Sequence, residues 1–322
     1  MIKNMGQCNK LAIVIPAYKA KYLGMALESI NKQTDKRFHL YIGDDNSPED
    51  LGQIVNGYMG KFPITYKKFD ENLGRKDLIA HWERCIDMVL DEQYIWFFSD
   101  DDMMSNNCVS SFYEVLDKIP DKDIYHFPVK IIDSNSEVVT PKGYDKKSFP
   151  PFLSKEQYAM GRLFFKYNSF AIEYVFKKQT FIDKGGFVKF DLAWGSDDAT
   201  WIRMSENDGI YSIESSFVYW RLSEVNISPT KSMEIIKRKL QSSLNYLAFV
   251  KNHICSNSVD IGIFNYWLHT MYNSSKYITL NSIQVFNRQF CDAFKPSILQ
   301  FAKLHLISYI ISVPLKLGQV KY

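Results

Sequence analysis

The sequence predicts an α/β protein: a doubly wound, mostly parallel sheet flanked by helices, with a helical region at the C-terminal end. Three observations carry this. Short continuous apolar runs occur at residues 11–15 and 95–98, and a further strand-like stretch lies at 38–43. Their length and their β-branched and aromatic content suit strands buried on both faces. Segments with apolar residues at helical spacing alternate with them, which is the order of β-α-β units. After Lys231 the strand pattern stops and only helical texture remains.

Taken in order, residues 11–15 form a central strand that Pro16 stops, since proline cannot continue the ladder. Ala17-Tyr18-Lys19 is a loop at its carboxyl end. Leu23, Ala26, Leu27 and Ile30 share one face of a helix over 22–33. A second strand at 38–43 runs into Asp44-Asp45-Asn46-Ser47, and Pro48 with two acids opens the next helix, to about Tyr58. A strand over 64–69, a turn at Asn72-Leu73-Gly74-Arg75 and a helix over 76–89 lead to the strand ending in Ser99-Asp100-Asp101-Asp102. Beyond lie a helix over 106–119, one or two strands over 123–139 and a polar, proline-bearing loop over 140–151. A helix over 154–166, a strand over 170–176, a Gly185-Gly186 turn and a helix capped by Ser196 follow, then a strand over 210–218. Helices are expected at 235–250, 261–277 and 286–312, the last bent at Pro296.

The chain has 322 residues, 46% hydrophobic and 23% charged, enough for a sizeable core. Its net charge of +3 hides an asymmetry. The stretch after residue 230 holds 11 Lys/Arg against three acids, while the first 230 residues hold 28 against 33. Such a tail suits an anionic surface, and its terminal apolar run, 304–315, reads either as an interfacial segment or as a buried helix. No run reaches the roughly 18 apolar residues of a membrane span. Five cysteines without C-x-x-C spacing argue against a disulfide framework and a zinc site, and fit a reducing cytoplasm. There is no G-x-G-x-x-G after the first strand and no G-x-x-x-x-G-K-[ST], so a usual dinucleotide fold and a P-loop are disfavoured.

The carboxylates carry the chemistry. Ligands of open α/β sheets bind beyond the carboxyl ends of the strands. Two strands deliver acids there, Asp44-Asp45 and Asp100-Asp101-Asp102. Three adjacent carboxylates repel unless a cation or hydrogen bonds compensate, and Mg2+ is held by one or two carboxylates plus substrate phosphates. For this stretch alone the alternative is a solvated acidic turn near a helix N-terminus. A later pair, Asp197-Asp198, opens a helix and is flanked by Trp194 and Trp201. Capping explains Ser196 and one acid, but not the two tryptophans.

Four stretches in order, Pro16-Ala17-Tyr18, Asp44-Asp45-Asn46-Ser47, Ser99-Asp100-Asp101-Asp102 and Gly185-Gly186-Phe187 with Ser196-Asp197-Asp198 and Trp201, resemble the GT-A glycosyltransferases of family 2. The resemblance covers roughly residues 10–230 and leaves the tail uncovered. It implies a catalytic domain over 1–230, with a nucleotide-binding part at about 10–105 and an acceptor part at 106–230, followed by a helical region over 231–322 that associates with a membrane or oligomerises. Pro16, Ala17 and Tyr18 would lie against the nucleotide, Asp45 would bind its base or ribose, and Asn72 and Arg75 would line the base pocket. Asp102 would ligate Mn2+ or Mg2+ with support from Asp100, leaving Asp101 as the middle residue of the D-x-D motif. Arg221 would meet the diphosphate. The acid pair would supply the base, Asp198 ahead of Asp197, with Trp194 and Trp201 near the acceptor. Ser223 stands where the family often has a histidine, and Asn46 where glycine is commoner.

The function so implied is inverting, metal-dependent transfer from a nucleotide sugar, a UDP-sugar, to a glycan or lipid-linked acceptor in surface polysaccharide biosynthesis, at the inner face of the cytoplasmic membrane. The expected partners include no nucleic acid. The alternatives are a sugar nucleotidyltransferase, which would want a glycine-rich loop after the first strand, and a non-catalytic nucleotide-sugar-binding protein.

Overall fold

Residues 11–17 hold together because every side chain but one in the strand is buried between layers. This is β1 (Leu11–Ala17) in a computed structural model that describes residues 10–222, 232–300, 302 and 304. The chain continues through α1 (Leu23–Asn31), β2 (Phe38–Asp44), α2 (Leu51–Asn56), β3 (Ile64–Lys68), α3 (Leu78–Ile86) and β4 (Tyr94–Phe97). These are the alternating elements that the apolar runs predict.

Next come β5 (Met103–Met104), α4 (Cys108–Lys118), β6 (Ile124–His126), β7 (Val129–Ile132), β8 (Val138–Val139) and β9 (Phe152–Leu153). Then follow α5 (Lys155–Leu163), β10 (Tyr174–Lys177), α6 (Lys178–Asp183), α7 (Ser196–Met204), β11 (Ile210–Ser212) and β12 (Val218–Arg221). Three longer helices follow, α8 (Met233–His253), α9 (Val259–Ser274) and α10 (Leu280–Phe294), and helical residues recur from 298 onward.

The strands form two sheets. The large one has the order β3-β2-β1-β4-β10-β6-β11-β9, and the small one β5-β12-β7-β8. β1 to β4 pair in parallel, but β10 runs antiparallel between β4 and β6, and β9 is an antiparallel edge. The carboxyl ends of β1, β2, β4 and β6 therefore share one edge with the amino end of β10. At the middle of this sheet Trp96 stacks on Phe127 with centroids 4.4 Å apart, and its Nε1 donates to the Ile172 carbonyl at 2.8 Å.

Several expectations change. Pro16 does not stop β1: it pairs with Gly43 of β2, beyond the four residues of β1 that β4 also bonds, so the missing N–H falls on an open side. α2 starts at the Asp50 cap, whose side chain accepts from the Gln53 N–H, rather than at Pro48. The single strand expected over 210–218 is two, β11 in the large sheet and β12 in the small one. The helix expected over 286–312 begins earlier and is interrupted after Phe294, where Lys295, the residue before Pro296, turns left-handed at φ 47°; helical residues resume at 298, so the break falls at the expected proline. Ser223 and most of the 304–315 run lie outside the described residues.

Contacts gather the described chain into two units. The first comprises 10–155, 167–188 and 203–222; the second comprises 156–166, 189–202 and the residues from 232 onward. The second unit thus combines the C-terminal helices with two segments from earlier in the chain. Among the described residues no helix is long and apolar enough to cross a membrane.

Packing under β2 leaves no spare volume. A methyl group at Gly43 would stand 2.3 Å from Cys85 Sγ and 3.0 Å from the Phe69 ring. Gly43→Ala is expected to cost about 1–3 kcal/mol in urea unfolding, and Cys85→Ala in the same chain to recover part of that loss.

Candidate active site

In the first unit, each carboxylate at the shared sheet edge is held by a defined partner. Asp44, fully buried, accepts from the Ser47 N–H at 2.7 Å and from Tyr66 Oη at 2.6 Å. Asp45 accepts from the Leu73 N–H at 2.8 Å and the Gly74 N–H at 2.9 Å, and pairs with Arg84. A Cβ on Gly74 would come within 2.7 Å of Asp45 Oδ2, so this turn requires glycine. Asn72 Oδ1 accepts from the Arg75 N–H at 2.9 Å, closing the same turn. Asp45, Asn72 and Arg75 are thereby brought together. His81, 3.5 Å from Asp45, is held down to about 4 by burial and stays neutral near pH 7.

Asp100 reaches across to the loop after β1. Its Oδ2 accepts from the backbone N–H groups of Tyr18 and Lys19, both at 2.8 Å. Ala17 ends β1 as a buried residue, while the Tyr18 ring is exposed. Asp102 is buried: Oδ1 accepts from the Arg221 N–H at 2.6 Å and Oδ2 from Ser99 Oγ at 2.7 Å. Ser99 Oγ also lies 2.7 Å from Asp101 Oδ1. A serine carries one hydroxyl proton. Two carboxylates therefore compete for it, and the cluster is short of positive charge. Desolvation and the neighbouring Asp101 push Asp100 up to about 6 and raise Asp102 well above the usual carboxylate range.

Those observations test whether a divalent cation fits. All donors are hard oxygens, and Asp100 Oδ1 and Asp101 Oδ2 accept no hydrogen bond among the described residues. No group of three His, Cys, Asp or Glu side chains is arranged to hold a metal among the described residues. The acids suit a cation that takes part of its shell from a diphosphate, and they do not form a complete cage.

Arg221 is fully buried. Its Nε donates to the Asp101 carbonyl at 2.7 Å, and one Nη donates to the Asp133 carbonyl at 2.8 Å and Ser136 Oγ at 3.0 Å. The guanidinium also lies over the Tyr22 ring, 4.4 Å from its centroid. Arg221, expected at the diphosphate, is here a clasp on the backbone around the acids. Arg221→Met is expected to lower unfolding stability by roughly 3 kcal/mol, because three part-buried acceptors lose their charged donor; denaturant titration checks this.

The second acid pair belongs to the second unit. Asp198 is buried and held from α5: Tyr158 Oη donates at 2.7 Å, and Arg162 grips both oxygens through Nε and Nη2 at 2.8–2.9 Å. Asp197 is half-buried and has no ion pair among the described residues. Desolvation and the adjacent Asp198 push it up to about 7. Ser196 does not cap α7; its Oγ accepts from the Phe190 N–H at 3.1 Å. Trp201 is fully buried and offers no face to an acceptor. Trp194 is half-buried, with Nε1 donating to Ser243 Oγ at 3.3 Å and the Lys239 ammonium 4.5 Å from its ring centroid.

The sequence reading missed Tyr158 and Arg162. Their i, i+4 spacing places them on one helix face, a signal that was available but gained meaning only once Asp198 met that face. It also missed Tyr66 and Arg84, for which no local pattern exists, and gave Ser99 of the acid motif no role of its own.

A sequence-family model described as Glycosyl transferase family 2 matches residues 12–177. Among solved structures, Staphylococcus aureus TarS residues 1–349 with UDP-GlcNAc aligns with TM-score 0.59 at 14% identity, over 92% of this chain and 90% of that one. GalNAc-T7 with UDP, GalNAc and Mn2+ aligns with TM-score 0.56 at 11% identity, over 88% and 54%. The mannosyltransferase PcManGT from Pyrobaculum calidifontis, with GDP-Man and Mn2+, aligns with TM-score 0.53 at 10% identity, over 97% and 88%. These likenesses are of fold, and the fold is the GT-A arrangement that the motifs implied. Because the matched segment spans more than half of the chain, this protein belongs to glycosyl transferase family 2.

Proposed function

We propose that this glycosyltransferase moves a sugar from a UDP-sugar to a hydroxyl of a glycan or lipid-linked acceptor, with inversion, in surface polysaccharide assembly. The observation that carries the reading is the cation-short group Ser99-Asp100-Asp101-Asp102, standing at the same sheet edge as the Asp45-ordered turn. The nucleotides and Mn2+ bound by TarS, GalNAc-T7 and PcManGT support a nucleotide-sugar donor and a divalent cation. Pro16, Ala17, Tyr18, Asp45, Asn72 and Arg75 would receive the nucleotide. Asp102 and Asp100, with Asp101 beside them, are the residues that would hold Mn2+ or Mg2+. A cation there supplies Lewis-acid neutralisation of the leaving diphosphate.

The acceptor hydroxyl loses its proton as it attacks, which requires a base. Sequence reasoning favoured Asp198. Its bidentate pairing with Arg162 and its bond from Tyr158 commit both of its oxygens, whereas the Asp197 carboxyl has no ion pair among the described residues, and burial beside Asp198 pushes it up to about 7. We therefore assign proton removal to Asp197 and the anchoring of α7 to Asp198. A single base with no carboxylate nucleophile opposite it gives inversion, by analogy with glycoside hydrolysis.

Calorimetric titration of UDP with and without Mn2+ tests the donor site. Binding should strengthen with Mn2+, and Asp102→Ala should remove the metal-dependent part; binding indifferent to metal overturns the reading. For the base, Asp197→Asn should keep UDP binding and lose about 10²–10⁴-fold in transfer. Asp198→Asn should instead lower the unfolding midpoint, since it weakens a buried pair. A folded Asp198→Asn without transfer, beside an active Asp197→Asn, would reverse the assignment. Because a base must be ionised, kcat/KM should rise with pH through about 7 in the wild type.

A further inference from the structure

A cavity of about 240 Å³ lies in the first unit, apart from the carboxylates. β7, β8 and the segment after β8 wall it, and His126 and Glu173 lie in its lining. The end of β6 and the start of β10 bring those two residues to the edge that carries the acids. β7 pairs with β12, and β12 with β5, the strand that directly follows Asp102. Two inter-strand spacings separate β5 from β7, about 10 Å. The cavity is thus at the reaction edge, yet displaced from the acids by more than a hydrogen bond.

Its lining has a distinct chemistry. Lys130, Lys146 and Lys147 converge on it, against Asp145 and Glu173. Glu173 is already engaged: its Oε2 lies 2.6 Å from His126 Nε2, and its Oε1 accepts from the Phe170 N–H. Lys146 and Lys147 are exposed and have no ion-pair partner among the described residues, while the Lys130 ammonium rests 4.0 Å from the Phe217 ring centroid. His126 is buried, stacked on Phe149 at 3.9 Å, and its Nδ1 has no hydrogen-bond partner among the described residues. With Nε2–H directed to Glu173, Nδ1 is a bare, buried acceptor on a residue that lines the cavity. A buried acceptor left so is costly unless a ligand supplies a donor. Aromatic faces, unpaired ammonium groups and one bare acceptor together describe a pocket for a hydroxylated ring that carries an oxyanion.

We propose that this cavity receives a sugar of the acceptor bearing a negatively charged group, a phosphate or a carboxylate, with Lys146 and Lys147 taking the charge and His126 Nδ1 accepting a hydrogen bond from a hydroxyl. This rests on the transferase reading above and names the class of acceptor that it uses. An anion there selects the acceptor; it has no part in breaking the donor bond.

The test uses the full chain and four probes: N-acetylglucosamine 6-phosphate, glucuronic acid, and their neutral counterparts N-acetylglucosamine and glucose. Affinities are read by ligand-observed NMR or calorimetry, with UDP titrated on the same samples. One charged sugar should bind about tenfold tighter than its neutral twin, and which of the two does so decides between phosphate and carboxylate. The preference should shrink as salt rises. Lys146→Gln with Lys147→Gln should abolish the preference while leaving affinity for the neutral twin in place. Equal binding of charged and neutral probes to the wild type, or loss of both together in the variant, overturns the proposal. UDP binding alongside either of those results leaves the transferase reading standing, whereas absence of UDP binding defeats that reading instead.

Discussion

The bond from the Arg221 N–H to Asp102 is the joint on which the first unit depends. It links the last strand of the small sheet to the loop that leaves the large one. The Arg221 side chain then returns to the Asp101 carbonyl, so one residue holds the acid loop from two directions. Burying a guanidinium is costly unless its donors are satisfied. Here backbone carbonyls of residues 101 and 133 satisfy them, which in turn fixes where those backbones run. The repulsion among Asp100, Asp101 and Asp102 is contained by this clasp and by the Ser99 hydroxyl, and what the clasp leaves uncompensated is what a cation would neutralise.

The same logic recurs at the other strand ends. Asp45 spends its two oxygens on consecutive N–H groups of the 72–75 turn, and Asp100 spends one on the N–H groups after β1. Carboxylates order the loops of the sheet edge, and ordered loops keep the carboxylates at one place. Replacing Asp45 or Asp100 by an apolar residue would strand N–H groups as well as remove a charge.

Legibility in the sequence follows from locality. β1, β2 and β4 are apolar runs whose neighbours do not alter their identity, and the acids that follow them are adjacent in the chain, so both could be read directly. β10 could not: its antiparallel insertion between β4 and β6 is decided by partners some 50 to 80 residues away. The division of 210–218 between two sheets is equally non-local, because an alternating pattern does not name the sheet it joins. Arg221 was read by its place in a motif, and the motif says nothing about Asp133 or Ser136, which meet it from a distant turn. Trp201 looked like a ligand face because aromatics flank the acid pair, yet the period of α7 turns it fully inward.

In the second unit the C-terminal helices bear on chemistry through the segment that precedes the acid pair. Leu192 and Ala193 hold left-handed backbone at φ 58° and 54°, a conformation that non-glycine residues avoid without outside support. That support comes largely from α8. Arg238 grips Asp191 through Nε and Nη2 at 2.7 and 2.6 Å, Ser242 donates to the Asp191 carbonyl at 2.8 Å, and Ser243 accepts from Trp194 Nε1. The strained turn delivers the chain to Ser196, whose hydroxyl binds back to Phe190, and then to Asp197 and Asp198. Without α8 the turn would relax toward ordinary backbone and the start of α7 would lose its anchor. The helices after residue 231 are therefore part of what sets the acid pair, whatever surface they present on their far side.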